Sequence, residues 1–141
     1  MTTINDVTTL DINDEVAVLT LNSPPVNALS ANVREGLNEG VGFFNYRGYY
    51  GVSGFGSSDV NSTSNGFMLP VATVITCGTG SFASSNEALS ESFLRAGTAS
   101  NPKGSVVCIG TATLGTHTMF NNIVDMGFYY AALLEGLETP G

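Results

Sequence analysis

Positive charge is scarce in this chain, and so are the residues that usually hold metals. Its 141 residues carry four Lys and Arg together against twelve Asp and Glu, a formal net charge of −8. Nucleic acid and anionic membrane surfaces both need a basic face, so neither is expected as a partner. The acidity would suit a cationic substrate, and it equally suits plain solubility. There is one histidine, His117, and there are two cysteines, Cys77 and Cys108. These lack metal-ligand spacing, and one imidazole with two thiols falls short of a structural zinc site, so no metal and no other cofactor is expected. Two cysteines could form one disulfide, but nothing in their spacing asks for it. Long apolar runs are missing as well. Stretches such as "VATVIT" are far too short to cross a bilayer, so no membrane insertion is expected. The opening "MTTINDVTTLDINDE" is polar and acidic and has no apolar centre, so it does not read as a signal peptide. The chain as given is expected to be soluble and unexported; a fragment of a longer protein could carry a signal upstream.

Glycine, by contrast, is plentiful, at 17 residues, and 43% of the chain is hydrophobic. Many glycines with few charges suit a tightly wound α/β sheet with functional turns better than a helical bundle. Residues Val7 to Leu21, "VTTLDINDEVAVLTL", read as a β-hairpin turning at Asn13-Asp14. Two prolines in "NSPPVNA" stop the second arm. Ser30 is then a plausible N-cap, followed by the helical stripe Val33, Leu37, Val41. Three apolar runs, "GFFNYRG", "PVATVITC" and "SVVCIG", are expected as strands of a parallel sheet. A helix is expected over Ser84 to Gly97, opened by a Ser84–Glu87 capping box, and another over Ile123 to Leu137. The Gly- and Ser-rich segment from Tyr49 to Gly66 is expected to be mobile or held by other chains. In a parallel sheet the site lies beyond the carboxyl ends of the strands, here Tyr49, Cys77 to Gly80, and Thr111 to His117.

Two resemblances run through the chain. "EVAVLTLNSPPVNALS" followed by "ANVREGL" resembles the opening hairpin, proline loop and first helix of an enoyl-CoA hydratase (crotonase) fold, over about residues 7–41. That family's later catalytic segments have no counterpart here, so the resemblance implies an incomplete N-terminal domain (1–41) without hydratase chemistry, though acyl-CoA binding is kept as a further alternative. From about Leu37 to Leu137, "GVGFFNYRG", "SDVNSTSNGFMLPVATVITCGTGSF", "SESFLRAG" and "GSVVCIGTAT" resemble the catalytic domain of gingipain-family cysteine peptidases. This implies a partial caspase-like α/β fold over 42–141, a parallel sheet with flanking helices that lacks the family's earlier strands. A fusion of two gene fragments would explain both halves. The missing strands would leave a sheet edge open, and an open edge invites association, including a homo-oligomer.

The gingipain resemblance also implies roles. Cys77, at the end of a strand before "GTG", matches the family's nucleophile, with the Gly78 backbone as an oxyanion donor and a peptide or protein as substrate. The family's histidine lies in a Gly-His-Gly turn. Here the turn is "GYYG", one residue longer, and Tyr49 stands at that position. A phenol, with a reference pKa of about 10, is a poor base at neutral pH. His117 is therefore the candidate substitute base, against the plainer expectation that it caps the final helix or points to solvent. Without a base, the chain would be an inactive structural or interaction module. Cys108, mid-strand, reads as core packing, and Asp59 and Asp125 read as solvent or capping residues. "GTGS" and "GTATLGT" lack the Lys-Ser/Thr ending of a phosphate loop.

Overall fold

The computed structural model describes residues 2–5, 8–13, 16–21, 31–83, 86–137 and 139. Strands β1 (Thr2–Asn5), β2 (Thr8–Asn13) and β3 (Val16–Leu21) form an antiparallel sheet in that order. β2 and β3 are the two arms of the expected hairpin. β1 is an addition, because "TTIN" is too polar and too short to stand out as a strand. Asp14 of the expected turn, the proline loop and the Ser30 cap lie outside the described residues.

Helix α1 (Ala31–Asn38) leads into β4 (Phe43–Tyr50), and α2 (Ser57–Asn61) precedes β5 (Val71–Cys77). Next come α3 (Leu89–Arg95) and a small hairpin of β6 (Gly97–Thr98) with β7 (Asn101–Pro102). β8 (Val107–Thr111) and α4 (Thr118–Leu133) follow. The three expected runs are β4, β5 and β8, and they form one parallel sheet in the order β4-β5-β8. β5 is the middle strand. Residues Ala72 to Cys77 are all buried, which is why this run is continuously apolar or Thr rather than alternating. No helix among the described residues is long and apolar enough to cross a membrane.

Successive strand residues face opposite sides of the sheet, and the two sides are covered differently. One side carries the apolar core, where Phe44, Ala72 and Val74 meet Leu37, Val41, Phe55, Val60, Phe93 and Ala96. The rings of Phe44, Phe55 and Phe93 pack with centroids 5.6–6.3 Å apart. Leu37 and Val41 of the expected helical stripe thus share a core with the parallel sheet, across the 41/42 boundary. Arg34 of α1 is also ion-paired with Asp59, at 2.5 Å.

The segment after β4 corrects the expectation of a mobile loop. It contains α2, buries Phe55 and Val60 in the core, and seals Thr63 and Asn65 from solvent. Asn65 donates to the carbonyls of Met68 and Gly104 and accepts from the Gly104 amide. Two apolar anchors and one fully bonded asparagine hold a segment whose average composition suggests otherwise. Asp59 accepts from the Gly56 amide at the start of α2, a capping role. α3 is also shorter than expected. It begins at Leu89, with Glu91 accepting from the Ala88 amide, while Glu87 precedes the helix and Ser84 lies outside the described residues.

The other side of the sheet meets α4 through an edge-on contact of Phe43 with Tyr129, centroids 5.7 Å apart, and through a set of polar groups. Asn45 of β4 donates to Asp125 at 3.3 Å, and the Thr73 hydroxyl of β5 lies 2.9 Å from Asn45 Oδ1 and 2.8 Å from the Tyr129 hydroxyl. Arg47 reaches the Asn122 side chain and the carbonyls of Thr118, Ile75 and Gly48. Asp125 is therefore buried against the sheet, not a solvent or capping residue, and it is the only charged residue in α4. Hydropathy misleads here because a buried carboxylate with an amide partner looks, in sequence, like a surface residue.

Both cysteines are free thiols. Cys108 packs against the core, as expected, and burial pushes its pKa from 9.0 up to about 12. Three decades less thiolate at neutral pH should slow its alkylation about a thousandfold relative to an unfolded control. Iodoacetamide labelling with peptide mapping reads this directly. The same shift sets a pH dependence. Above about pH 9 the unfolded chain releases the Cys108 proton while the folded chain keeps it, so stability is full below that pH and declines towards pH 12. Burial raises Tyr129 in the same direction, so alkaline unfolding gains a second contribution of the same sign.

Candidate active site

Cys77 ends the middle strand, at the sheet's carboxyl edge, and is 6% exposed. The next three residues turn sharply because glycine permits it. Gly78 has φ +82, and a Cβ there would lie 3.0 Å from Leu114 Cδ2. Gly80 crosses Gly110 of β8 so closely that a Cβ on Gly80 would sit 2.7 Å from the Gly110 carbonyl oxygen. Thr79, between them, is buried. Its hydroxyl lies 2.5 Å from the Val74 carbonyl and 2.9 Å from that of Thr76, and it accepts from the Thr111 amide. The Ser90 amide donates to the Thr79 carbonyl at 2.9 Å, tying the turn to α3. The thiol is thus presented by a turn that is fixed on two sides.

The opposite wall comes from the end of β4. Arg47 pairs with Ile75 and Tyr50 with Cys77, so β4 advances three residues where β5 advances two. The extra residue in "GYYG" is taken up as a bulge. Tyr50 therefore lies level with Cys77, and both tyrosines are largely exposed, Tyr49 at 79% and Tyr50 at 69%. Gly51 closes this junction, donating its amide to the Cys77 carbonyl at 3.2 Å and accepting from the Thr76 hydroxyl at 2.6 Å. Between the walls is an open cleft of ≈ 180 Å³, lined on one side by Cys77, Gly78 and Thr79 and on the other by Tyr50, Val52 and Phe55. Gly51, Gly56, Ser57 and Leu89 complete the lining, and no charged side chain is among these residues.

Of the four site residues expected from sequence, Cys77 and Gly78 share the cleft wall, and Tyr49 does not line it. Tyr50 does, and sequence comparison alone passes over it, since a one-residue insertion leaves open which tyrosine takes the level position. The Gly78 amide donates to the Thr113 carbonyl at 3.2 Å, so serving an oxyanion would require it to leave that bond. His117 reaches the same sheet edge: the Cys77 thiol lies 3.9 Å from the carbonyl of Thr116, its neighbour in the chain. It is the N-cap of α4, and its Nδ1 accepts from the Met119 amide at 3.2 Å. That bond occupies the lone pair a base would use and fixes the ring proton on Nε2, so the free nitrogen is a donor. The ring edge also packs against Phe120, with centroids 6.4 Å apart.

The Cys77 thiol thus lies at the carboxyl end of the middle parallel strand, beside a cleft and backed by a glycine turn, on the edge where open α/β sheets place their sites. The family model described as Peptidase family C25 matches residues 5–140, and the chain belongs to that family. Two solved structures are similar to it. One is the complex of the Porphyromonas gingivalis RgpB pro- and mature domains, 28% identical with a TM-score of 0.53, covering 58% of this chain and 21% of that one. The other is the Arg-specific cysteine proteinase gingipain R (RgpB), 26% identical with a TM-score of 0.56, covering 68% of this chain and 25% of that one. The chain thus spans a quarter or less of the length of these structures. Comparison with curated protein sequences gives no match. The family match begins at residue 5 and runs through the stretch that resembles an enoyl-CoA hydratase, and none of the comparisons supports that second resemblance or a chimeric chain.

Proposed function

We propose that this chain is the nucleophile-bearing segment of a cysteine-type peptidase domain, in which the Cys77 thiolate attacks the scissile carbonyl and forms an acyl-enzyme. The observation that carries this reading is the position of Cys77, last in the middle strand and in the wall of the cleft. Attack forms the S–C bond and places negative charge on the carbonyl oxygen. The Gly78 amide is the nearest candidate donor for that oxygen, once released from Thr113. Collapse breaks the C–N bond and expels the amine, which takes its proton from solvent, and water then hydrolyses the thioester and returns the Cys77 thiol. One solved relative is described as Arg-specific. In this chain the cleft lining is uncharged, which favours a small neutral side chain beside the scissile bond.

A second reading has one observation in its favour. The turn that should carry the base holds two tyrosines, and the His117 Nδ1 is occupied by its own helix. On this reading the fold is retained as a binding module without turnover. The two separate on fluorogenic peptides with Arg or Ala before the scissile bond, assayed with the full chain and with Cys77→Ala. Hydrolysis that disappears in the variant supports the peptidase. Peptide binding without hydrolysis supports the module. Preference for the Arg peptide would count against the neutral-residue assignment.

A further inference from the structure

The outward face of α4 is apolar, the reverse of an ordinary surface helix. Met119, Ile123, Met126, Tyr130 and Leu133 are each 46–72% exposed, while the helix's one charge, Asp125, points into the sheet. Their spacing along the chain is 4, 3, 4, 3. That is the alternation of a coiled-coil seam, a 3.5-residue repeat that keeps one stripe facing one neighbour. Phe120, Val124 and Leu134 flank the stripe and are also exposed. Together these eight side chains give the helix an apolar outer face, unlike the singly scattered apolar residues of an ordinary surface, and a patch of this kind marks an interaction site.

We propose that this face packs against the same face of a second copy of the chain, α4 on α4. A seam of this spacing is self-complementary, because its knobs fit the holes that the same spacing creates. Charge points the same way. Two copies of a chain with net charge −8 repel over most of their surfaces, and the outer stripe of α4 brings no like charges together. The parallel sheet offers a competing route, since β4 and β8 flank β5 and each has one edge unpaired within that sheet.

Sedimentation equilibrium on the full chain tests the assignment. The expected result is a mass of twice 14.6 kDa at tens of micromolar, an order of concentration typical of modest interfaces, with return to 14.6 kDa in Ile123→Glu and Met126→Glu. Both positions are exposed, so circular dichroism should show the fold unchanged. A wild-type monomer, the outcome if a different polypeptide covers this face, overturns the proposal. So does a dimer that survives both charged substitutions, which would place the contact at a sheet edge.

Discussion

Replacing Tyr50 with histidine should raise the reactivity of Cys77 sharply, and replacing Tyr49 should not. The strand register puts Tyr50 level with Cys77, and both line the cleft, whereas Tyr49 sits on the bulge and points away from it. An imidazole at position 50 would lie where it can take the thiol proton, stabilise the thiolate as an ion pair and later protonate the leaving amine. General base catalysis of this kind contributes about 10²–10⁴-fold, so that is the gain expected in Cys77-dependent peptide hydrolysis. Alkylation of Cys77 at mildly acidic pH should rise about tenfold or more, since the thiolate is the reactive species. His117→Ala should leave both measurements unchanged, because the free nitrogen of His117 is a donor. An equal gain from Tyr49→His, or none from Tyr50→His, would show that the register argument has picked the wrong tyrosine or that the site has lost more than its base.

The second large effect concerns stability. Phe93→Ala should lower the unfolding free energy by about 3–5 kcal/mol, read from urea midpoints at constant slope. Phe93 is fully buried on α3 and packs against both Phe44 of the sheet and Phe55 of the segment after β4. Removing its ring leaves a cavity between three elements that are each pinned elsewhere, so collapse can fill little of it. Phe82→Ala is the control. That side chain is 62% exposed, and its loss should cost under about 0.5 kcal/mol. The damage would reach the cleft as well, because Leu89 and the Ser90–Thr79 bond, on the same helix as Phe93, help to shape it. A loss under about 1 kcal/mol would mean that the aromatic cluster is not the centre of the fold.

Much of this architecture was legible because its signals are local. The run "VATVITC" can only be a strand covered on both faces, and the glycines after it can only be a turn. The alternation of apolar runs and helices carried the parallel sheet, and the resemblance carried the fold class. What stayed hidden depends on register and on partners distant in sequence. Which tyrosine stands beside Cys77 is decided by a bulge, and a bulge has no signature beyond one extra residue. The segment after β4 is held by Phe55, Val60 and Asn65, three residues diluted among Gly and Ser. Asp125 could not be placed either, because its partner Asn45 is eighty residues away and only the fold brings them together.

The joint between α4 and the sheet carries a thermal consequence. Releasing α4 would expose Asn45, Arg47, Thr73 and Asp125 together with the Phe43–Tyr129 ring contact. Hydrating polar groups lowers heat capacity, whereas hydrating apolar ones raises it, so the polar bonds offset part of the apolar contribution and this step has a smaller heat-capacity change than an all-apolar joint would have. The phenylalanine core on the opposite side of the sheet follows the usual curve and weakens on cooling. The two faces of one sheet are therefore fastened by different mixtures of force, and cooling should loosen the phenylalanine side before it loosens α4.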